Sequence, residues 1–359
     1  MNLPSASSGI LIRQLSNERR ALRLVKDAIG RISLNLEGLT VLTEVATGPF
    51  VLTPMIAAAA GANVIAVARD SRFGTAADVM DYARGVAERF GIGERIRFTS
   101  SAVLSFVGEA DVITNLGFVR PINRAFVSRL KSTAVVCLMW SPWEFRDLDI
   151  DRIACDEAGI PIIGTNEEHP YIQTSEYVGL LAVKLLLEKQ IEIIGSRISL
   201  LASDPFGKFI RDALERLGSH VRHVDPTKYG ADLQAVMIDA CDNVDAVVLA
   251  EHRDNRTLIG PGGVSEEKLS LQGIEIIHIS GAITLGSDPS SRIKKYPPNE
   301  VPFGVMTLTT DHLGPKSVID LHTGGLKVGA IISRARQAGL SAQEAIKRAE
   351  ASGYGAALQ

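Results

Sequence analysis

Two short stretches concentrate groups able to move protons. MWSPWEFR (139–146) and GTNEEHP (164–170) gather Trp140, Trp143, Glu144, Asn166, Glu167, Glu168 and His169. A carboxyl beside an imidazole has the composition of a general acid–base pair, and Glu168 with His169 is the candidate, although neighbours on an extended strand point apart. The two tryptophans are the only ones in the chain and suit either a ligand platform or simple core packing. A second set suits anions: TEVATGPF (43–50) puts Thr47, Gly48 and Pro49 at a strand-to-helix turn, where an open α/β sheet binds ligands at its carboxyl edge. Arg69 and Arg72 follow the next strand, and Asn115 a later one. The candidates for contacting substrate are therefore Thr47, Gly48, Arg69, Arg72, Asn115, Trp143, Glu144 and Asn166. An ordinary tight turn with solvated charges behind it is the alternative.

Further along, EHRDNRTLIGPGG (251–263) follows another strand, so His252 and Arg253 are placed to approach a nucleotide or an anionic substrate, with Arg253 or Arg256 as a carboxylate anchor. His220 and His223 flank a strand and read as structural. Asp311, His312 and His322 have no recognised metal-ligand spacing, and no metal is expected. Cys137, Cys155 and Cys241 stand far apart and form no C-x-x-C pair, so they read as buried small apolar residues.

The elements that must carry these groups alternate. Residues 13–31 have amphipathic helical spacing; 39–45 and 63–70 read as strands around a helix at 48–62. Helices at 75–90, 123–130 and 149–158 and strands at 96–99, 110–115, 133–139 and 161–164 continue the pattern. A long helix at 174–189 separates this series from a second one, with strands at 198–202, 220–225, 245–250 and 274–280 and a helix at 207–217. The expected fold is α/β, with two doubly wound parallel-sheet (Rossmann/flavodoxin-like) domains linked by long helices. The expected domains are a flavodoxin-like or Rossmann-like substrate domain at 1–170, a linking helix at 171–195, a Rossmann nucleotide-binding-like domain at 196–314, and C-terminal helices at 315–359 returning to the first domain.

Composition agrees with such a protein: 359 residues, 46% hydrophobic, 22% charged and a net charge of −3. No basic cluster supplies a nucleic-acid footprint. The apolar run at 55–67 is interrupted by Gly61 and Asn63, so no membrane span is expected, and residues 1–12 lack a secretory pattern, which leaves a cytoplasmic location.

Residues 108–285 resemble the D-2-hydroxyacid dehydrogenase family. EADVITN (109–115), FRDLDIDRIACDEAGIPIIGTN (145–166) and TSEYVGLLAVKLLL (174–187) follow the family's order of strand, "GI-x-V-x-NTP" stretch and domain-linking helix, and 196–226 aligns without a gap to its glycine-rich βαβ unit. The resemblance implies an oxidoreductase using NAD or NADP on a small polar or carboxylated metabolite in an interdomain cleft, and a homodimer packed through its nucleotide domains. It puts Ala202, Asp204 and Gly207 at the three glycine positions, Asp225 at the ribose-binding acid and Ser280 in the stretch beside the cofactor; His252 is placed near a cofactor only by its position after a strand. TTDHLG (309–314) resembles "TPHxAG", which carries the acid–base role to His312.

This chain departs from the pattern in three places. Asp204 puts a carboxylate where pyrophosphate would lie, unless it is only a helix cap. Ser280 stands in a stretch without the family's substrate-binding Arg. The polar loop at 287–298 replaces the segment bearing the family's catalytic Glu. A non-redox enzyme (lyase, cyclase or hydrolase) or a ligand-binding protein on the same fold is the alternative.

Overall fold

A computed structural model describes residues 12–172, 174–286 and 295–358. Most of residues 1–12, read above for a leader, and 287–294 of the polar loop lie outside the described residues. The chain divides into two compact units, Met1–Ile172 with Gly314–Gln359, and Gln173–Leu313.

The first unit opens with α1 (Glu18–Arg31), capped by Asn17, whose side chain accepts from the Arg20 N–H. It is shorter than the periodicity of 13–31 predicts. Then follow β1 (Thr40–Glu44), a 3₁₀ turn (Gly48–Val51), α2 (Leu52–Ala59), β2 (Asn63–Val67), α3 (Ala76–Phe90), β3 (Ile96–Thr99), β4 (Val112–Thr114), α4 (Arg124–Val127), β5 (Val135–Cys137), α5 (Arg152–Glu157) and β6 (Ile162–Thr165). These strands are parallel, in the order β6-β5-β4-β1-β2-β3. The residues of β1, β4, β5 and β6 are buried on both faces, which is why the sequence shows apolar runs here and not alternation.

The second unit contains α6 (Ser175–Glu188), β7 (Arg197–Leu201), α7 (Phe206–Arg216), β8 (His220–Val224), α8 (Leu233–Ala240), β9 (Ala246–Ala250), α9 (Glu266–Leu271), β10 (Glu275–Ser280) and the short β11 (Lys295–Tyr296). Its sheet is parallel, in the order β11-β10-β9-β7-β8. Helices α8 and α9 do not stand out in the sequence because both are short and lie between turn-rich segments.

The chain then returns to the first unit as α10 (Pro315–Gln337), α11 (Ala342–Ala351) and β12 (Gly355–Ala356), which pairs antiparallel with β6. α10 lies close on the sheet because TGGLKVG supplies glycines where it touches: a Cβ at Gly325 would stand 2.4 Å from Met139 Cε, and one at Gly329 2.5 Å from Val112 Cγ1. Two polar ties fix it. Asp320 pairs with Arg31 and Lys316, and His322 Nδ1 lies 2.7 Å from Thr53 Oγ1.

The expected α/β class with two parallel sheets is found. The strand orders sharpen it. In order of appearance the first sheet reads 3-2-1-4-5-6, the dinucleotide-binding order, and the second 2-1-3-4-5, the flavodoxin-like order. The sequence pattern places the nucleotide-binding type in the second half. Periodicity gives the number of strands but not their sideways order, so it has no means of making this distinction.

Candidate active site

In an open parallel sheet a crevice forms where the order of strands reverses, at their carboxyl ends. The first unit reverses between β1 and β4, and the second between β7 and β9. A buried glutamate stands at each.

In the first unit Glu44 ends β1 and is 7% exposed. One carboxylate oxygen accepts the Phe118 N–H at 2.9 Å. Burial raises its pKa, against lowering by that bond and by Arg120. Arg120 pairs with Asp149, lies 5.4 Å from the Trp140 ring centre and has a buried Nε without a hydrogen-bond partner. Arg69 donates to the Arg120 carbonyl at 3.4 Å.

The next strand end extends this group. After β5 the chain enters a 3₁₀ turn, Pro142–Glu144, and after β6 Glu167 accepts the Ser141 N–H at 2.9 Å. Glu144 is half-buried, and its pKa is pushed up to about 8 by desolvation first and by repulsion from Glu167 second, with Arg146 and Arg120 opposing. At neutral pH it is mostly protonated: a carboxylic acid able to donate a proton, beside cations able to hold an anion.

The predicted substrate contacts divide. Glu144 and Trp143 share the turn just described. Asn115 is buried and its Oδ1 accepts the Met139 N–H at 2.8 Å, tying β4 to β5 at the crevice. Thr47 precedes the Gly48 turn without a side-chain cap bond; Gly48 has φ +61° and its N–H donates to the Arg13 carbonyl at 2.7 Å. Arg69 and Arg72 are exposed, with Arg72 over the Phe73 ring. Asn166 instead holds the C-terminal turn, donating to the Gly353 carbonyl at 2.8 Å.

Glu168 and His169 are engaged separately, and His312 belongs to the other unit. His169 stacks on Tyr354 with ring centres 4.1 Å apart, its Nδ1 accepts the Tyr171 N–H, and burial lowers its pKa. Glu168 is exposed, and its N–H donates to Asn166. His312 sits exposed in a 3₁₀ turn, Thr310–Leu313, of the second unit. Among the described residues no group of His, Cys, Asp and Glu is arranged to hold a metal, and no helix is long and apolar enough to cross a membrane.

At the second crevice Glu251 follows β9 and is fully buried. Its carboxylate accepts from Ser203 N and Oγ at 2.7 and 2.6 Å, and from the N–H groups of His252, Arg253 and Asp254 at 2.9, 2.6 and 2.8 Å. Ser203 lies in the turn after β7, between the positions matched to the first two family glycines.

The other matched positions are engaged as well. The Ala202 carbonyl meets His223 Nε2 at 2.7 Å, and a Cβ at Gly207 would stand 2.3 Å from the same nitrogen. Asp204 is half exposed and caps α7 by accepting the Lys208 N–H at 2.9 Å. Asp225 accepts from Thr227 and pairs with Lys228 at 3.1 Å. His252 stacks on Phe206, and desolvation lowers its pKa to about 4. Ser280 is fully buried, with an unpartnered Oγ. Arg256 is taken up by Asp254 and the carbonyls of Pro226, Tyr229 and Gly230. With the crevice floor occupied by a protein carboxylate, a dinucleotide's pyrophosphate does not fit this turn as folded.

Sequence reasoning missed Glu44, Arg120 and Glu251. The signal for the two glutamates was present in TVLTE and AVVLAE: a carboxylate closing a run of strand residues.

No family model matches the chain, and no curated protein matches it in sequence. Solved structures are similar to it. Dipicolinate synthase from Bacillus subtilis has a TM-score of 0.53 at 13% identity, covering 85% of this chain and 99% of that one. Its counterpart from Bacillus halodurans, also a dipicolinate synthase, has a TM-score of 0.50 at 12% identity, covering 80% and 96%. NAD+-bound 3-phosphoglycerate dehydrogenase from Entamoeba histolytica has a TM-score of 0.44 at 10% identity, covering 84% and 96%. The first two carry the likeness, which at these identities is one of fold alone.

Proposed function

We propose that the chain is an oxidoreductase-like enzyme acting on a small carboxylated metabolite at the carboxyl edge of the first unit's sheet, with Glu144 as the group that gives or takes the proton. The carrying observation is the Glu144 turn. A carboxyl pushed up to about 8 stands within electrostatic reach of Arg120 and Arg146, while Glu167 is held by a backbone bond. A group titrating near the working pH suits general acid–base catalysis, and the cations offer a carboxylate its counter-charge. The fold's likeness to the dipicolinate synthases favours a carboxylated substrate.

The likeness to dehydrogenases also brings NAD or NADP as redox partner. In the second unit the buried Glu251 carboxylate opposes it. The first unit offers the matching strand order, with Arg69 and Arg72 after β2, where an arginine accommodates the 2′-phosphate of NADP. Calorimetric titration with NADH and NADPH tests the class. Binding of either supports the oxidoreductase. No binding at millimolar cofactor overturns it and leaves the non-redox enzyme or ligand-binding protein on the same fold. Loss of turnover in Glu144→Gln tests the acid–base assignment under both.

A further inference from the structure

The Glu251 carboxylate has the surroundings of a bound anion. Its oxygens take a hydroxyl and four backbone N–H groups, one from the turn after β7 and three consecutive ones after β9, all at 2.6 to 2.9 Å. Consecutive N–H groups converging on one point form the kind of nest that holds phosphates and carboxylates. A fully buried charge is tolerated only when its lone pairs are met in this way. The donors belong to the two strand ends between which a sheet of this order binds its ligand.

We infer that Glu251 is the resident anion of the second unit: an anion site closed from within, which binds no external phosphate or carboxylate while Glu251 is present and takes up a free carboxylate such as acetate when that side chain is removed. Two features support closure over mere crowding. Gly281 packs against Glu251, where an added Cβ would lie 3.0 Å from the Glu251 Cβ, so the neighbouring strand end is shaped around this residue. Asp204 and Asp225 also stand near the mouth with Lys228 between them, 4.0 and 3.1 Å away, which puts two carboxylates at the entrance with Lys228 already paired to them.

The test uses the full chain with sodium acetate, and sodium chloride at equal ionic strength as the control. Glu251→Ala removes the carboxylate and leaves the donors. Its melting temperature is expected to fall, and acetate is expected to raise it by about 4 °C or more beyond the rise in the parent protein. An equal response in the two proteins overturns the inference. Should Glu251→Ala fail to fold, the parent protein decides alone: with inorganic pyrophosphate and then NADH added, the amide NMR signals of Ser203, Arg253 and Asp254 are expected not to move. Saturable shifts at those three amides overturn closure. This outcome is separate from the proposed oxidoreductase, since cofactor binding that leaves these amides unmoved keeps both ideas.

Discussion

Both sheets place a glutamate where their strand order reverses, and the two are treated differently. Glu251 is met by five donors, while Glu44 has one backbone N–H at 2.9 Å and an arginine engaged elsewhere. The difference follows from what surrounds each strand end. After β9 the backbone turns so that three successive N–H groups point inward. After β4 the chain runs on through Gly117 and Phe118, and only one N–H reaches the carboxylate. A buried carboxyl with too few donors holds its proton more tightly, and burial does raise the Glu44 pKa. The same imbalance continues to Glu144, with a second carboxylate, Glu167, added nearby. On the proposed reading, full satisfaction closes the second crevice and partial satisfaction leaves the first one able to exchange a proton. A protein of this fold need not use both switch points.

The largest expected effect belongs to the under-satisfied crevice. Glu144→Gln keeps the shape and removes the proton, so turnover should fall roughly 10²- to 10⁴-fold. In the direction in which Glu144 donates, the protonated form is the active one. Its rate should therefore be full below about pH 8 and decline as pH rises through that value. A pH profile with a flat limb from 7 to 9 in the parent protein breaks the contrast between the crevices.

The glutamates themselves come next, compared by chemical denaturation at neutral pH. Glu251→Gln swaps an acceptor for a donor inside a ring of donors and should cost about 3 kcal/mol. Glu44→Gln replaces a carboxyl held by a single backbone donor, whose charged form burial already disfavours, and should cost less than about 1 kcal/mol. Equal losses would mean that both carboxylates are structural plugs. Gly207→Ala is smaller than the first of these. The new methyl must displace His223 from the Ala202 carbonyl and also crowds that backbone oxygen at 2.8 Å, at about 1 to 3 kcal/mol. If Gly207 served only a cofactor's approach, stability would not change.

Much of this was legible in the sequence at the level of elements. Apolar runs of five or so residues between helical stretches gave both sheets, and the spacing of Thr43 to Phe50 gave the first strand-to-helix turn. The Glu144 turn was found because residue types were concentrated just past a strand. What stayed hidden depends on lateral position. Glu44 and Phe118, or Ser203 and Glu251, are far apart in sequence and meet only because β1 lies beside β4 and β7 beside β9. Asn166 and His169 read as ligand-facing because they follow β6. They are instead taken up by Gly353 and Tyr354, which β12 brings back to that edge.

Asp204 gives the smallest effect and the cleanest discrimination. From sequence it is the residue that excludes pyrophosphate, so Asp204→Gly should restore dinucleotide affinity to the second unit. In the fold it is half exposed and accepts the Lys208 N–H, the work of a helix cap. The obstacle lies deeper, in the buried Glu251 carboxylate, which the substitution leaves in place. Asp204→Gly should therefore lower stability by only about 0.5 to 1 kcal/mol, through the lost cap, and leave the calorimetric affinity for NADH and NADPH unchanged. A gain in affinity from this substitution alone would shift the closing role from Glu251 to Asp204 and make the second crevice an open site with one misplaced charge.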